Sequence, residues 1–339
     1  LYDRGQLDRA LALAERLCAI GTEEASTEKS CLAFRALGST LMSKGEFVRA
    51  IEAFDGAITR GSQASLGTCF AHHGEEPHIV GLQYKGLSLA VRGYADAGLA
   101  SAQSALSLAK TLNFPLMVAF ASTAVGMVLM LRREYQPCAA LVRQQIEFCS
   151  EQGFIFWSAA HEILHGASQA CLDGDPRGLT QLEQGIQSWK KTGAALHIPT
   201  WSSYLAEAAL CVGDLDCAEK AVLNGIDTSE GHGDAFALAE LKRLAGHVFL
   251  RRDRPDEARR AFESALEIAY RQEAGLYLLR AGRDLARLVA DHGEANLALD
   301  ILSPIIERIT EHRTGPDFLE ASSLLSSLSG AGTTVASRA

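Results

Sequence analysis

The chain has 339 residues, of which 47% are apolar and 22% are charged, and it carries a net charge of −9. This composition excludes a disordered chain, and the eight prolines exclude a collagen-like or proline-rich one. The acidic balance excludes a global basic field for nucleic acid or an anionic membrane. The length is sufficient for one large or two ordinary domains with a sizeable core.

Eight cysteines are scattered along the chain without a CxxC pair. A secreted disulfide framework is shorter and denser, so we expect reduced thiols in a cytoplasmic protein. No signal peptide opens the sequence, and Leu1-Tyr2 resembles the end of a helix already under way. We therefore expect the chain to be part of a longer protein.

A pattern of turns and helices recurs along the chain with a period of 40 residues. In the clearest copy, Gly38 precedes a turn at Gly45 and a helix that carries Phe54 one turn after a small residue. Each copy indicates a helical hairpin whose small residues let the two helices approach closely. Only the step from Gly38 to the next copy is longer, at 48 residues. The copies are anchored by Gly38, Gly86, Gly126, Gly166, Ala206, Gly246 and Ala286.

A lone hairpin cannot bury its apolar face, so the copies must stack. The sequence therefore predicts an all-α fold, a right-handed tetratricopeptide-like superhelical solenoid with about 16 helices and no strands. We expect one domain over 1–329, with a half repeat at 1–25 and full repeats over about 27–313. A capping helix is predicted over 316–328, and residues 330–339 are predicted to form a flexible tail. The anchoring glycines should lie at close contacts inside helical pairs.

The segment from Phe114 to Leu131 is uncharged for 18 residues, which is long enough to be a candidate membrane span. It contains Pro115 and Gly126, and it falls in register with the repeat. We therefore expect a helix that is buried on all sides and no membrane association.

Four short motifs connect the repeats to a known type of regulator. They are Gly93-Tyr94-Ala95-Asp96-Ala97, Gly153-Phe154-Ile155-Phe156-Trp157, Thr192-Gly193-Ala194 and the run from Ala239 to Gly246. In these motifs the chain resembles the C-terminal helical-repeat region of large bacterial regulators. Those regulators join a class III adenylate cyclase, or a DNA-binding domain, to a signalling ATPase of the AAA/STAND type.

The resemblance implies a cytoplasmic sensing or docking module that binds a protein segment or an upstream domain of the same regulator. The chain departs from the family at Gly98, where the first motif should end in alanine, and at the loop Glu75-Glu76-Pro77-His78. No cyclase, Walker or DNA-binding sequence occurs in the chain. Those activities are therefore not assigned to it.

The sequence His161-Glu162-Ile163-Leu164-His165 matches the HExxH motif of zinc peptidases, with Glu183 as a conceivable third ligand. However, the motif lies in the first helix of a repeat, where His165 takes a position held by leucine in other copies. We predict that His165 is largely buried against the second helix of its repeat and that neither histidine binds metal. A zinc-dependent hydrolase remains the alternative.

The segment from His72 to His78 contains three histidines and two glutamates, and it lies where the period lengthens. We interpret it as a plain inserted loop, with a partner contact or a metal site as alternatives. The chain has no GxSxG, P-loop or GxGxxG motif. We therefore predict a non-catalytic module without a cofactor.

Superposed repeats place cationic and apolar side chains on the concave wall, which the first helix of each hairpin lines. We expect this wall to bind an anionic peptide tail or an acidic small effector, with arginines that are not tied to carboxylates. The alternatives are a solvated face neutralised by Glu240 and Asp284, and a purely structural or oligomerisation solenoid. The candidate residues are Arg243, His247, Arg251, Arg280, Arg283 and Arg287 at one end, and Phe120, Met127 and Met130 in the middle.

Overall fold

The computed structural model describes residues 1–23, 26–63, 70 and 74–336. In these residues it contains α-helices and one short 3₁₀ turn, Tyr2–Arg4, and no strand. The helices are α1 (Leu7–Glu23), α2 (Thr27–Ser43), α3 (Phe47–Gln63), α4 (Pro77–Val91), α5 (Ala95–Thr111), α6 (Pro115–Leu131), α7 (Tyr135–Gln152), α8 (Ile155–Asp173), α9 (Pro176–Lys191), α10 (Ile198–Val212), α11 (Leu215–His232), α12 (Leu238–Arg251), α13 (Pro255–Arg271), α14 (Gly275–Asp291), α15 (Ala295–Glu307) and α16 (Pro316–Ala336).

Helix α1 precedes seven helical hairpins, from α2–α3 to α14–α15, and α16 packs on the last of them. This arrangement confirms the predicted all-α, tetratricopeptide-like solenoid. Every hairpin turn contains one residue with positive φ, because the chain must reverse within two or three residues. Glycine occupies this position in five turns, and Arg133 and Asp253 adopt the same left-handed conformation in the other two.

The anchoring glycines lie where paired helices touch, as predicted. A Cβ atom on Gly246 would lie 2.4 Å from the ring of Phe262, and one on Gly38 would lie 2.6 Å from the ring of Phe54. Gly86 and Gly98 face each other, and a Cβ on either one would lie 2.7 Å from the backbone oxygen of the other. This reciprocal contact explains why glycine occupies position 98.

Later hairpins also contact early ones, so the superhelix closes on itself. The amides of Ala235 and Phe236 donate to the Ser43 carbonyl at 2.7 and 3.1 Å. Arg92 forms an ion pair with Glu273, 181 residues further along the chain, at 3.0 Å. Successive turns of the solenoid are therefore held together by hydrogen bonds as well as by stacking.

The uncharged segment forms helix α6, which is buried along most of its length, as predicted. None of the described helices has the length and apolarity that a membrane span requires.

The last helix extends to Ala336, whereas the capping helix was predicted to end at 328. The residues after 328 lack proline, and serine, glycine and threonine each cost less than about 1 kcal/mol of helix propensity.

Candidate ligand-binding site

A cavity of about 600 Å³ lies along the inner wall of the superhelix. Its walls come from the first helices of five hairpins, α2, α4, α6, α8 and α10, and from the end of α9 and the N-terminal turn. The volume is within the range of natural ligand sites. Seven aromatic side chains line it, including all three tryptophans of the chain: Tyr2, Tyr84, Phe120, Phe156, Trp157, Trp189 and Trp201.

The rings form a continuous series across the hairpins. Phe120 of α6 stacks on Trp157 of α8 with ring centroids 4.2 Å apart. Phe156 lies 4.1 Å from Trp189, which meets Trp201 of α10 edge-on at 5.4 Å. Such contacts fix the rings against each other, so they present a preorganised apolar surface to the cavity.

The N-terminal turn closes one side of the cavity. The Tyr2 hydroxyl and the Ser43 hydroxyl are hydrogen-bonded at 3.1 Å. The Asp3 carbonyl accepts hydrogen bonds from the amides of Ala195 and Leu196 at 2.9 and 3.3 Å. The loop between α9 and α10 therefore directs two backbone donors toward a peptide carbonyl at the cavity wall.

Polar groups at the cavity are balanced in charge or neutral. Arg35 of α2 forms an ion pair with Glu75. His197 is buried, and burial lowers its pKa to about 4, so the ring is neutral at pH 7. His197 Nδ1 and Trp201 Nε1 have no hydrogen-bond partner among the described residues, although both side chains are more than nine-tenths buried. Both atoms are therefore buried, unsatisfied polar groups in residues of the cavity wall.

Two of the three predicted apolar residues, Phe120 and Met127, line this cavity. Met130 does not, because it is buried in the core, where its sulfur accepts a hydrogen bond from Ser168 at 3.2 Å. The sequence interpretation missed the remaining rings. Their concentration in a chain with only 7% aromatic residues is a signal that could have drawn attention to them.

Most of the predicted cationic residues gather at a second cavity. Arg243, His247, Arg251, Arg280 and Arg283 share a second cavity of about 280 Å³. Arg287 is exposed and lines a separate depression beside α16. The wall therefore brings most of the predicted set together.

The expectation that these arginines are open and unpaired is wrong for Arg243, Arg280 and Arg283. Arg243 pairs with Glu240 and with Asp284, each at 2.8 Å, and His247 lies 2.6 Å from the same aspartate. Arg280 pairs with Glu240 and Asp317, both at 2.9 Å, and donates to the Leu131 carbonyl at 2.6 Å. The physical reason is burial, since a buried guanidinium without a carboxylate partner is costly.

The electrostatics of this cluster follow from the pairing. Burial alone would raise the pKa of Glu240, but Arg243 and Arg280 hold it at about 2. Burial would also raise the pKa of Asp284, but its hydrogen bond with His247 and the charges of Arg243 and Arg283 hold that pKa below its usual range. Arg280 and Arg283 do the same for the pKa of Asp317. Arg251 donates to the Leu210 carbonyl at 2.6 Å. The cluster is therefore already neutralised by the protein's own groups.

The two histidines of the HExxH motif face different helices. His161 is fully buried, with Nε2 3.1 Å from the Thr123 hydroxyl and Nδ1 3.6 Å from the Cys149 sulfur. His165 Nδ1 lies 2.8 Å from Gln181 of α9, the second helix of its own hairpin, as predicted. Its side chain is only partly buried, however, because Gln181 lies at the edge of that interface. Burial lowers the pKa of His161 to about 4.

Glu183, the conceivable third zinc ligand, is exposed and lies 3.8 Å from the Cys217 sulfur of α11. Within the described ranges, no three His, Cys, Asp or Glu side chains are grouped so that they could hold a metal ion. His72 and His73 of the inserted loop lie outside the described residues. Glu75 of that loop is engaged with Arg35.

No family model matches the sequence, and no curated protein matches it. Solved structures share the fold. A Rap protein complexed with Competence and Sporulation Factor is 12% identical, with a TM-score of 0.62, and the match covers 99% of this chain and 95% of that one. The Rap conjugation gene regulator of plasmid pLS20, in complex with the Phr* peptide, is 14% identical with a TM-score of 0.61, covering 84% and 77%.

NprR in complex with its cognate peptide NprX is 10% identical, with a TM-score of 0.54, and the match covers 87% of this chain and 81% of that one. At these identities the similarity shows the fold alone. The chain is therefore a tetratricopeptide-like helical-repeat protein.

Proposed function

We propose that the chain is a non-catalytic regulatory module that binds a peptide segment in the aromatic cavity. The observation that carries the proposal is the cavity itself, where rings from four neighbouring hairpins meet beside two backbone amides that hold the Asp3 carbonyl of the N-terminal turn. The similar structures were determined as complexes with Competence and Sporulation Factor, the Phr* peptide and the peptide NprX, which supports a peptide as the ligand class.

The N-terminal turn supports a peptide in preference to other small ligands. Its Asp3 carbonyl accepts hydrogen bonds from the amides of Ala195 and Leu196, and main-chain hydrogen bonds of this kind are how binding sites hold a peptide backbone. The stacked rings provide large apolar area for one or two anchoring side chains. Because Arg35 is paired with Glu75, the anchor is expected to be apolar or aromatic and not charged.

The ion pairs at the second cavity argue against the anionic small effector as the ligand. Arg243 and Arg280 are each bound to two carboxylates and Arg283 to three, so an added anion would have to displace them. We also propose that the module belongs to a larger cytoplasmic bacterial signalling protein and controls an attached effector domain. The resemblance of the sequence to cyclase- and STAND-type regulators supports this.

The test is a selection of linear heptapeptides from a displayed library, followed by titration of the enriched peptides. Intrinsic fluorescence reports occupancy directly, because every tryptophan lines the cavity. Ala194→Phe places a ring at the cavity wall, and Ala100→Phe places the same ring on the exposed face of α5 as a control. We expect affinity to fall about tenfold or more only in Ala194→Phe, which corresponds to about 1.4 kcal/mol.

Two results would contradict the proposal. Enriched peptides that bind both variants and the parent chain equally would place the binding elsewhere. A selection that enriches no peptide would favour a structural or oligomerisation solenoid.

A further inference from the structure

Two cysteines at equivalent positions of neighbouring repeats form a pair. Cys171 lies near the end of α8 and Cys211 near the end of α10, 40 residues later, which is one repeat. Both line the cavity of about 280 Å³ that the arginine cluster shares. The two thiols lie close enough to shift each other's pKa. The repeat register therefore brings two sulfur atoms together at an open wall.

The two thiols differ in their surroundings. Cys211 is exposed, and its pKa is lowered first by the hydrogen bond with Cys171 and further by the charges of Arg251 and Arg133. Cys171 is partly buried, and the same hydrogen bond, together with burial, raises its pKa. Cys211 is the exposed thiol of the pair and Cys171 is its partly buried neighbour, so an oxidant in solution reaches Cys211 first.

Other thiols of the described chain lack these features. Burial raises the pKa of Cys138 to about 12 and that of Cys149 to about 11. Burial and the charge of Glu183 likewise raise the pKa of Cys217 to about 11. These cysteines are expected to stay inert under mild oxidation, because the thiolate is the reactive form.

We propose that Cys171 and Cys211 form a redox-active dithiol, a modification site at which a hydroperoxide produces an intramolecular disulfide. The Cys211 thiolate attacks the terminal peroxide oxygen, the O–O bond breaks, and the departing oxygen takes a proton to form an alcohol or water. The resulting sulfenic acid is attacked by Cys171, which gives its proton to the hydroxide that leaves as water. The two thiols lose two electrons, which the peroxide takes up.

The bond would join two helices that also build the aromatic cavity. Trp157 and Trp201 lie in the first turns of α8 and α10, and the cysteines lie near the opposite ends of the same helices. The disulfide would therefore fix the distance between two successive hairpins at the end remote from the rings. This modification is independent of whether the cavity binds a peptide.

The experiment exposes the reduced chain to roughly equimolar hydrogen peroxide, blocks the remaining thiols with iodoacetamide, and maps the peptides by mass spectrometry without reduction. We expect one linked peptide pair, Cys171 with Cys211, with the loss of two hydrogen atoms and reversal by dithiothreitol. Cys217→Ser, which removes a partly exposed thiol outside the pair, should leave the linkage unchanged. Cys171→Ser should instead give Cys211 in sulfenic or sulfinic form.

Two outcomes would overturn the proposal, and both are read from the unmutated chain, so they do not depend on a variant that folds. In the first, Cys171 and Cys211 are both alkylated after oxidation. In the second, Cys211 is linked mainly to a cysteine other than Cys171.

Discussion

The substitution Arg280→Met tests the buried ion-pair network most directly. The Arg280 guanidinium joins four helices, because it contacts Glu240 of α12, Asp317 of α16 and the Leu131 carbonyl of α6 from its own position in α14. Methionine keeps the linear stem and removes the charge and the donors. Glu240 and Asp317, which are 5% and 7% exposed, would then lose a shared cation.

The expected cost is about 3–5 kcal/mol, since removing one partner of a buried pair leaves an uncompensated buried charge. Arg252→Met is the matched control. Arg252 also contacts two carboxylates, Asp216 and Glu219, but the aspartate is largely exposed, and such surface pairs contribute about 0–1 kcal/mol. The difference between the two variants isolates the effect of burial.

The assay is urea unfolding followed by circular dichroism, together with amide hydrogen exchange, because repeat proteins can unfold in parts. In a double-mutant cycle with Glu240→Gln, the two substitutions should cost less together than the sum of the single costs. Additive costs, or an Arg280→Met variant as stable as Arg252→Met, would refute the reasoning.

The same network predicts a pH dependence. The folded pKa of Glu240 is about 2 and lies below its unfolded value of about 4.3. Its stabilising contribution is therefore complete above about pH 4.3 and is lost as the pH falls toward 2. The difference in stability between the parent chain and Arg280→Met should narrow over this interval.

Two further predictions concern single sites. Gly246→Ala should destabilise the chain by about 1–3 kcal/mol in thermal unfolding, because the new Cβ would collide with Phe262. The control Gly231→Ala should be neutral or stabilise the chain by up to about 1 kcal/mol, because no atom lies within 4 Å of its new Cβ. Burial raises the pKa of Asp234 from 3.8 to about 6, so ionisation of this carboxyl lowers the free energy of unfolding by about 3 kcal/mol above pH 6 and has no effect below pH 4. The variant Asp234→Asn should therefore be more stable relative to the parent at pH 8 than at pH 4, as measured by urea midpoints. Equal effects of the two glycine substitutions, or a pH-independent effect of Asp234→Asn, would contradict these arguments.

The fold could be predicted from the sequence because its determinants are local and repeated. A small residue, a turn and a large apolar residue recur at fixed spacing, and contacts such as Gly246 with Phe262 lie within one hairpin. Position 133 shows the limit of the pattern, since arginine adopts the left-handed conformation there that glycine adopts in most other turns. The repeat period was therefore a better predictor of the hairpins than the identity of any single turn residue was.

The aromatic cavity could not be predicted in the same way, because its rings do not occupy one repeat position. Phe120 and Trp157 are 37 residues apart, and Trp189 lies at the end of a second helix. They meet because of the superhelical twist and because the N-terminal turn packs against the loop between α9 and α10. Neither feature is encoded in a 40-residue period.

The arginine cluster shows why register alone does not predict an open site. The period that places Arg243 beside Arg283 also places Glu240 beside Arg280, 40 residues apart, and Asp284 beside Arg243, 41 residues apart. Helix α16 continues this relation, because Asp317 bonds Arg280 and Glu320 bonds Arg283, each pair 37 residues apart. The capping helix thus contributes carboxylates where an eighth hairpin would present its first helix. A wall that is buried by its own last helix must neutralise its charges internally, which leaves the aromatic cavity as the part of the inner wall better suited to a ligand.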